Sequence, residues 1–81
     1  MPDIMIIDDD IHINKMLCEV LQNEGYNVSK AYSGTEAMLL LSQIKPDLIL
    51  LILSEKQLSS HILDELSKIA THYGSNLIET V

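Results

Sequence analysis

Three consecutive carboxylates, Asp8-Asp9-Asp10, are the residues of this sequence best placed to do chemistry. They follow Ile4-Met5-Ile6-Ile7, a short apolar run that ends abruptly at the first acid. Adjacent carboxylates on a turn suit a hard divalent cation, and Mg²⁺ needs few protein ligands because it keeps part of its water shell. The same residues have a purely structural use. Asp10 can cap a following helix, and Asp8 and Asp9 can each stabilise that helix's positive end by about 0.3–1 kcal/mol. The spacing alone supports both readings equally.

Other candidate groups are weaker. His12, His61 and His72 form no i, i+4 ligand pair, and no Cys-His cluster accompanies them. Ser59-Ser60-His61 resembles a nucleophile and base only by adjacency, because neighbours on a helix point about 100° apart and no nucleophile elbow is present. Ser33-Gly34 lacks the following Gly-rich stretch and Lys of a phosphate loop, so it reads as a helix cap. Cys18 cannot make an internal disulfide and reads as a buried, inert thiol in a reducing compartment.

The elements that must position these groups follow from periodicity. Ile4–Ile7 lacks alternation and is rich in β-branched residues, as expected of a strand buried on both faces. Ile13, Met16, Leu17, Val20 and Leu21 then follow the spacing of one helix face, with Asp10 as N-cap and Gly25 as the stop. Residues 26–31 alternate weakly and read as a second strand near an edge. Ser33-Gly34-Thr35-Glu36 matches a capping box. Behind it Ala37, Leu40, Leu41 and Ile44 form the inward stripe of a second helix, which Pro46 ends. Met38 and Leu39 widen that stripe.

Leu48–Leu53, six apolar residues without a polar break, predicts a central parallel strand. Ser54 and Gln57 have capping-box spacing, and Leu58, Ile62, Leu66, Ile69 and Tyr73 mark one face of a third helix, broadened by Leu63 and Ala70 and stopped at Gly74. Residues 76–81 read either as a short fourth strand or as a tail. Alternating β and α units of this length predict an α/β fold in three layers, a parallel sheet of order 2-1-3 with helices on its faces. Ligands of such sheets sit outside the carboxyl ends of the strands, where Asp8–Asp10 fall.

Composition narrows the function classes. The chain has 81 residues, 12 acidic against 5 basic, and a formal charge of −7. All five cations are Lys, so no Arg fork or basic stripe exists to neutralise phosphates, and nucleic acid is not an expected partner. An anionic membrane surface is disfavoured for the same reason. No apolar run is long enough to cross a bilayer, and Met1 is followed by Pro2 and Asp3 rather than a basic leader, so a cytoplasmic protein is expected. Hydrophobic content of 47% supplies a core, necessarily an aliphatic one with no Phe or Trp.

Taken in order, Ile4-Met5-Ile6-Ile7-Asp8-Asp9-Asp10, Glu24-Gly25-Tyr26-Asn27-Val28, Ala31-Tyr32-Ser33-Gly34-Thr35-Glu36-Ala37 and Lys45-Pro46-Asp47-Leu48-Ile49-Leu50-Leu51 resemble a bacterial response-regulator receiver domain. The resemblance covers residues 3 to about 53. It implies a flavodoxin-like fold and a two-component signalling role, with a histidine kinase as the intact family's partner. It also implies that Asp8 and Asp9 correspond to the acidic pair that holds Mg²⁺ in receivers.

One position departs from the family. The strand after Pro-Asp ends, in receivers, in the aspartate that accepts a phosphoryl group; here that position is Ile52. An alkyl group has no nucleophilic oxygen, so aspartyl phosphate cannot form there. Its loss also leaves Asp8 and Asp9 to hold Mg²⁺ weakly or not at all. Asp47 is no substitute, standing five residues, or about 16 Å, away at the other end of the strand.

Beyond Leu53 the family pattern stops, and the sequence reads as a single incomplete receiver-like domain over residues 1–81. Truncation, frameshift, engineering and natural degeneration would each produce that pattern. A third strand left at an edge invites pairing with another chain, which would also bury Met38, Leu39 and Leu63. A homodimer or higher assembly is therefore expected. The alternative is a monomer in which residues 76–81 cover the third strand. The functional expectation is a receiver without phosphoacceptor that is not an enzyme and acts through protein contacts. The alternatives are a Mg²⁺-responsive acidic module and a fold fragment with no function of its own.

Overall fold

A computed structural model of the chain describes residues 2–52, Asp64, Ser67, Lys68 and Asn76–Glu79. The order of elements is β1 (Asp3–Asp8), α1 (Ile11–Asn23), β2 (Asn27–Ala31), α2 (Gly34–Leu41), β3 (Leu48–Ile52) and β4 (Asn76–Glu79). The strands form one parallel sheet of order β2-β1-β3-β4. The parallel α/β sheet and its 2-1-3 order are as the sequence implies. The proposed third helix lies almost wholly outside the described residues; Asp64, Ser67 and Lys68 within it are helical.

β1 is the centre of the sheet, and every residue from Ile4 to Asp8 is buried. Its alternate side chains feed two cores. Met5 and Ile7 pack with Ala31, Ile49 and Leu51 beneath α2, whose Ala37 and Leu41 complete that layer. Ile4 and Ile6 pack with Cys18 of α1, and Leu17, Leu21, Val28, Leu48 and Leu50 lie partly buried around them. A strand covered on both faces needs no polar alternation, which is why residues 4–7 carry none.

Local chemistry sets the ends. Asp10 caps α1, its side chain accepting the N–H groups of His12 and Ile13 at 3.0 Å each. At the other end Gly25 takes φ 94°, donates to the Gln22 carbonyl, and is followed by Tyr26 donating to Leu21. That pair of bonds is a Schellman closure, which requires a left-handed residue that glycine adopts without a Cβ clash. Ser33 caps α2 by accepting the Glu36 N–H at 3.1 Å. Glu36 reaches back one residue further than a standard capping box, accepting from the Tyr32 N–H at 3.3 Å.

Three expectations are corrected. The buried face of α1 is not the stripe of Ile13, Met16 and Val20, which are exposed, but Asn14 and Cys18 flanked by Leu17 and Leu21. Hydrophobic spacing missed Asn14 because its polar side chain is fully satisfied inside. Helix α2 stops at Leu41 rather than near Pro46, because Ser42 donates its hydroxyl to the Leu39 carbonyl and Gln43 and Ile44 both bond to Leu40. Leu39, read as surplus to what one sheet face needs, is accordingly 67% exposed. Finally, the outer side of β3 is not an open edge, since Leu48–Leu51 pair in parallel with Asn76–Glu79. The premise for a dimer built on that edge is thereby removed, and the alternative of cover by the C-terminal segment is what the sheet adopts.

Candidate functional site

The site is built at the carboxyl ends of β1 and β3. Asp8 is the last residue of β1, only 2% exposed, whereas Asp9 and Asp10 lie on the exposed turn into α1. Across the ladder, the Cα partner of Asp8 is Ile52, the last residue of β3. The three acids the sequence singles out therefore separate into one buried carboxylate, one exposed neighbour and one helix cap.

Asp8 is held on one side only. Its Oδ1 accepts the Asp10 N–H at 2.9 Å, while Oδ2 is buried with no hydrogen-bond partner. Burial pushes the carboxyl above its usual range; the Asp10 N–H opposes that rise, and the charges of Asp9 and Asp10 add to it. A buried carboxylate oxygen without a donor is costly and is the kind of atom a cation would satisfy.

Asn14 anchors the same corner, a role that periodicity could not reveal. Fully buried, it donates through Nδ2 to the Asp8 carbonyl at 3.1 Å and to the Ala31 carbonyl at 2.9 Å. Its Oδ1 accepts from the Cys18 thiol at 3.4 Å. One side chain thus ties α1 to the ends of both β1 and β2. Cys18 is buried as expected, and burial pushes its thiol pKa up, away from a reactive thiolate, with Lys30 opposing more weakly.

Asp47 belongs to the opposite end of the sheet. Its Oδ2 accepts the Asp3 N–H, and its own N–H donates to the Asp3 carbonyl, both at 2.8 Å. A pocket of about 150 Å³ lined by Asp3, Ser29, Ile44, Lys45 and Pro46 also opens at that end, away from Asp8. His12 is exposed on α1, and among the described residues no group of three or more His, Cys, Asp or Glu is placed to hold a metal ion. His61, His72, Ser59 and Ser60 lie outside the described residues. No helix among the described residues is long and apolar enough to cross a membrane.

This geometry, with an acid at the end of the central strand of a 2-1-3 sheet, agrees with a match to the response regulator receiver domain over residues 4–54. The chain belongs to that family. Among its relatives is the DNA-binding response regulator MtrA of Mycobacterium tuberculosis, 38% identical over 48 residues that make up 59% of this chain and 21% of that protein. A receiver domain structure from Clostridium thermocellum superposes on 98% of the chain with a TM-score of 0.81 and 27% identity, and 64% of that structure is matched. TrrA of Thermotoga maritima, solved in complex with Mg²⁺ and BeF, gives a TM-score of 0.79 at 29% identity, with 68% of its chain matched. The chain thus spans about a fifth of the length of the MtrA relatives. The receiver family accounts for the sheet order and for the placement of Asp8 at its ligand end.

Proposed function

We propose that this chain is a two-component receiver domain that works without aspartyl phosphate, acting through protein contacts rather than as an enzyme. The observation that carries the reading is the register of β1 and β3, which sets Ile52 against Asp8 at the sheet's carboxyl end. Phosphoryl transfer to a receiver needs a carboxylate oxygen as nucleophile at that end, and Ile52 offers only carbon and hydrogen. Its histidine-kinase partner would then be bound without transfer. The net charge of −7 supports a protein partner over nucleic acid, and we place the domain in the cytoplasm, where two-component receivers meet their kinases.

A second reading is favoured by one atom. The unpartnered Oδ2 of Asp8 fits a cation, and we infer that Asp8 and Asp9 can hold Mg²⁺ weakly, with waters filling the rest of its shell. Mg²⁺ bound there would supply positive charge to a buried carboxylate. In this chain Asp8 would bind through its orphaned oxygen, Asp10 N–H would keep the carboxyl oriented, and Asn14 would hold the backbone carbonyl of Asp8 in place. No phosphoryl step is available to exploit it. Incubation with acetyl phosphate and Mg²⁺, followed by intact mass measurement, tests the first reading: the mass should stay unchanged, and a hydroxylamine-sensitive gain of one phosphoryl group overturns it. Backbone amide shifts of Asp8–Asp10 in a Mg²⁺ titration test the second; no change at millimolar metal overturns it.

A further inference from the structure

Asn14 grips the acidic turn twice. Its backbone N–H donates to the Asp10 carbonyl at 2.9 Å, and its Nδ2 donates to the Asp8 carbonyl at 3.1 Å. The Asp10 N–H in turn donates to Oδ1 of Asp8 at 2.9 Å. Asp8, Asp10 and Asn14 therefore close a ring of three hydrogen bonds, and the carboxylate that carries the unpartnered Oδ2 is one of its members. Asp8 and Asn14 are both buried, where such bonds reinforce one another, so the direction of that oxygen is set before any ligand arrives.

The second Nδ2 proton leads out of the ring. It goes to the Ala31 carbonyl at 2.9 Å, at the end of β2. That carbonyl belongs to the same planar trans peptide as the Tyr32 N–H, so the two groups point in opposite directions and turn together. The Tyr32 N–H donates to Oε1 of Glu36 at 3.3 Å. Glu36 lies in the first turn of α2, and its own N–H is bonded to the Ser33 hydroxyl. One peptide plane is thus held from both sides, by a residue of α1 through its oxygen and by a residue of α2 through its nitrogen. The two helices cover opposite faces of the sheet, so the bonds run from one helical layer to the other at the end of β2.

Asn14 and Ala31 are fully buried, so water cannot replace the bond between them. We propose that Asn14 and the Ala31–Tyr32 peptide form a link that couples the Asp8–Asp10 turn to the start of α2, with Asn14 and Glu36 as positioning residues for the acidic corner. Displacement at either end turns the shared peptide plane and is felt at the other. The coupling is reciprocal: a cation that fixes Asp8 strengthens the Tyr32–Glu36 bond, and an intact bond at Glu36 favours the cation. The cation half rests on the reading that Asp8 and Asp9 hold Mg²⁺, whereas the link itself does not.

The test uses the full chain, isotope-labelled, first without metal and then with Mn²⁺ as a paramagnetic probe of the corner. Glu36→Ala removes the acceptor of the Tyr32 N–H. The side-chain amide of Asn14 and the backbone amide of Asp10 should then shift by more than a linewidth. Glu36→Gln keeps an acceptor and should return both toward the wild type. Ser33→Ala weakens the same helix cap without touching the Ala31–Tyr32 peptide, and should leave both in place. Circular dichroism checks the fold of each variant; Glu36→Asp, with its shorter reach, replaces Glu36→Ala should that variant unfold. Unmoved Asn14 and Asp10 resonances, or equal shifts in Ser33→Ala, overturn the proposal. Broadening of the Asp8–Asp10 amides should need about threefold more Mn²⁺ in Glu36→Ala than in wild type or Ser33→Ala. Equal dependence in all three, in a chain that binds Mn²⁺, overturns the coupling to the cation. No broadening of the wild type at millimolar Mn²⁺ sinks the cation reading instead, and the metal-free shifts then decide the link.

Discussion

Asp8 and Ile52 are Cα partners across the β1–β3 ladder, a buried carboxylate set directly beside an alkyl group at the carboxyl edge of the sheet. Residues paired in this way project from the same face, so whatever meets the Asp8 side chain also meets Ile52. Ile52 offers neither a hydrogen bond nor a charge. Asp8 itself has one oxygen on the Asp10 N–H and the other buried without a partner.

That arrangement makes Asp8 a stability cost at neutral pH. Burial raises its folded-state pKa above the ordinary 3.8. Between the unfolded and folded values the native state holds more protons than the unfolded one, so stability falls as pH rises through that window and stays lowered above it. Asp8→Asn keeps an acceptor for the Asp10 N–H and removes the charge. It should stabilise the metal-free protein at pH 7 by on the order of 1 kcal/mol, with the gain shrinking as pH falls toward 4. Thermal melts at the two pH values check this; a gain that grows in acid contradicts it.

Asn14 should be among the least replaceable polar residues. Asn14→Ala removes the donor to both the Asp8 and Ala31 carbonyls and leaves a void beneath α1. The expected loss is about 1–3 kcal/mol, a large share of the roughly 4–12 kcal/mol that a chain of this size holds. Asn14→Asp should do worse, since it turns a donor into a second acceptor facing two carbonyls. Urea midpoints of the two variants measure the difference.

Helix α2 spans only eight residues, so its cap matters. Ser33→Ala should cost about 1 kcal/mol by freeing the Glu36 N–H. Glu36→Gln should cost less, because its side-chain oxygen still accepts from Tyr32. Equal losses in chemical denaturation would contradict the assigned bonds.

Ile52→Asp tests the site by restoring what is missing. Two carboxylates facing each other across the ladder should lower the melting temperature of the metal-free variant below wild type. Millimolar Mg²⁺ should recover it, with at least tenfold tighter binding than wild type by calorimetry. No response to Mg²⁺ would show that the corner cannot accommodate a cation.

Much of the fold is legible in residue order because its signals are local. Unbroken apolar runs mark buried strands, Asp10 and Ser33 mark helix starts, and Gly25 marks a stop that its positive φ explains. The rotation of α1 is not legible. Three of its apolar residues, Ile13, Met16 and Val20, are exposed, while the face against the sheet includes a polar Asn14 that the carbonyls of Asp8 and Ala31 satisfy. The partner of β3 was half legible: residues 76–81 read either as a fourth strand covering it or as a tail, because pairing Leu48–Leu51 with Asn76–Glu79 is a contact between distant segments. At the site, the run of three acids identifies the right corner, but burial alone distinguishes Asp8 from Asp9 and Asp10.

The most direct measurement is the intact mass of the wild-type chain after incubation with acetyl phosphate and Mg²⁺, repeated after hydroxylamine. With Ile52 beside Asp8, the mass should be unchanged in both cases. A gain of one phosphoryl group that hydroxylamine removes would place an acyl phosphate on this domain and contradict a receiver that works without one.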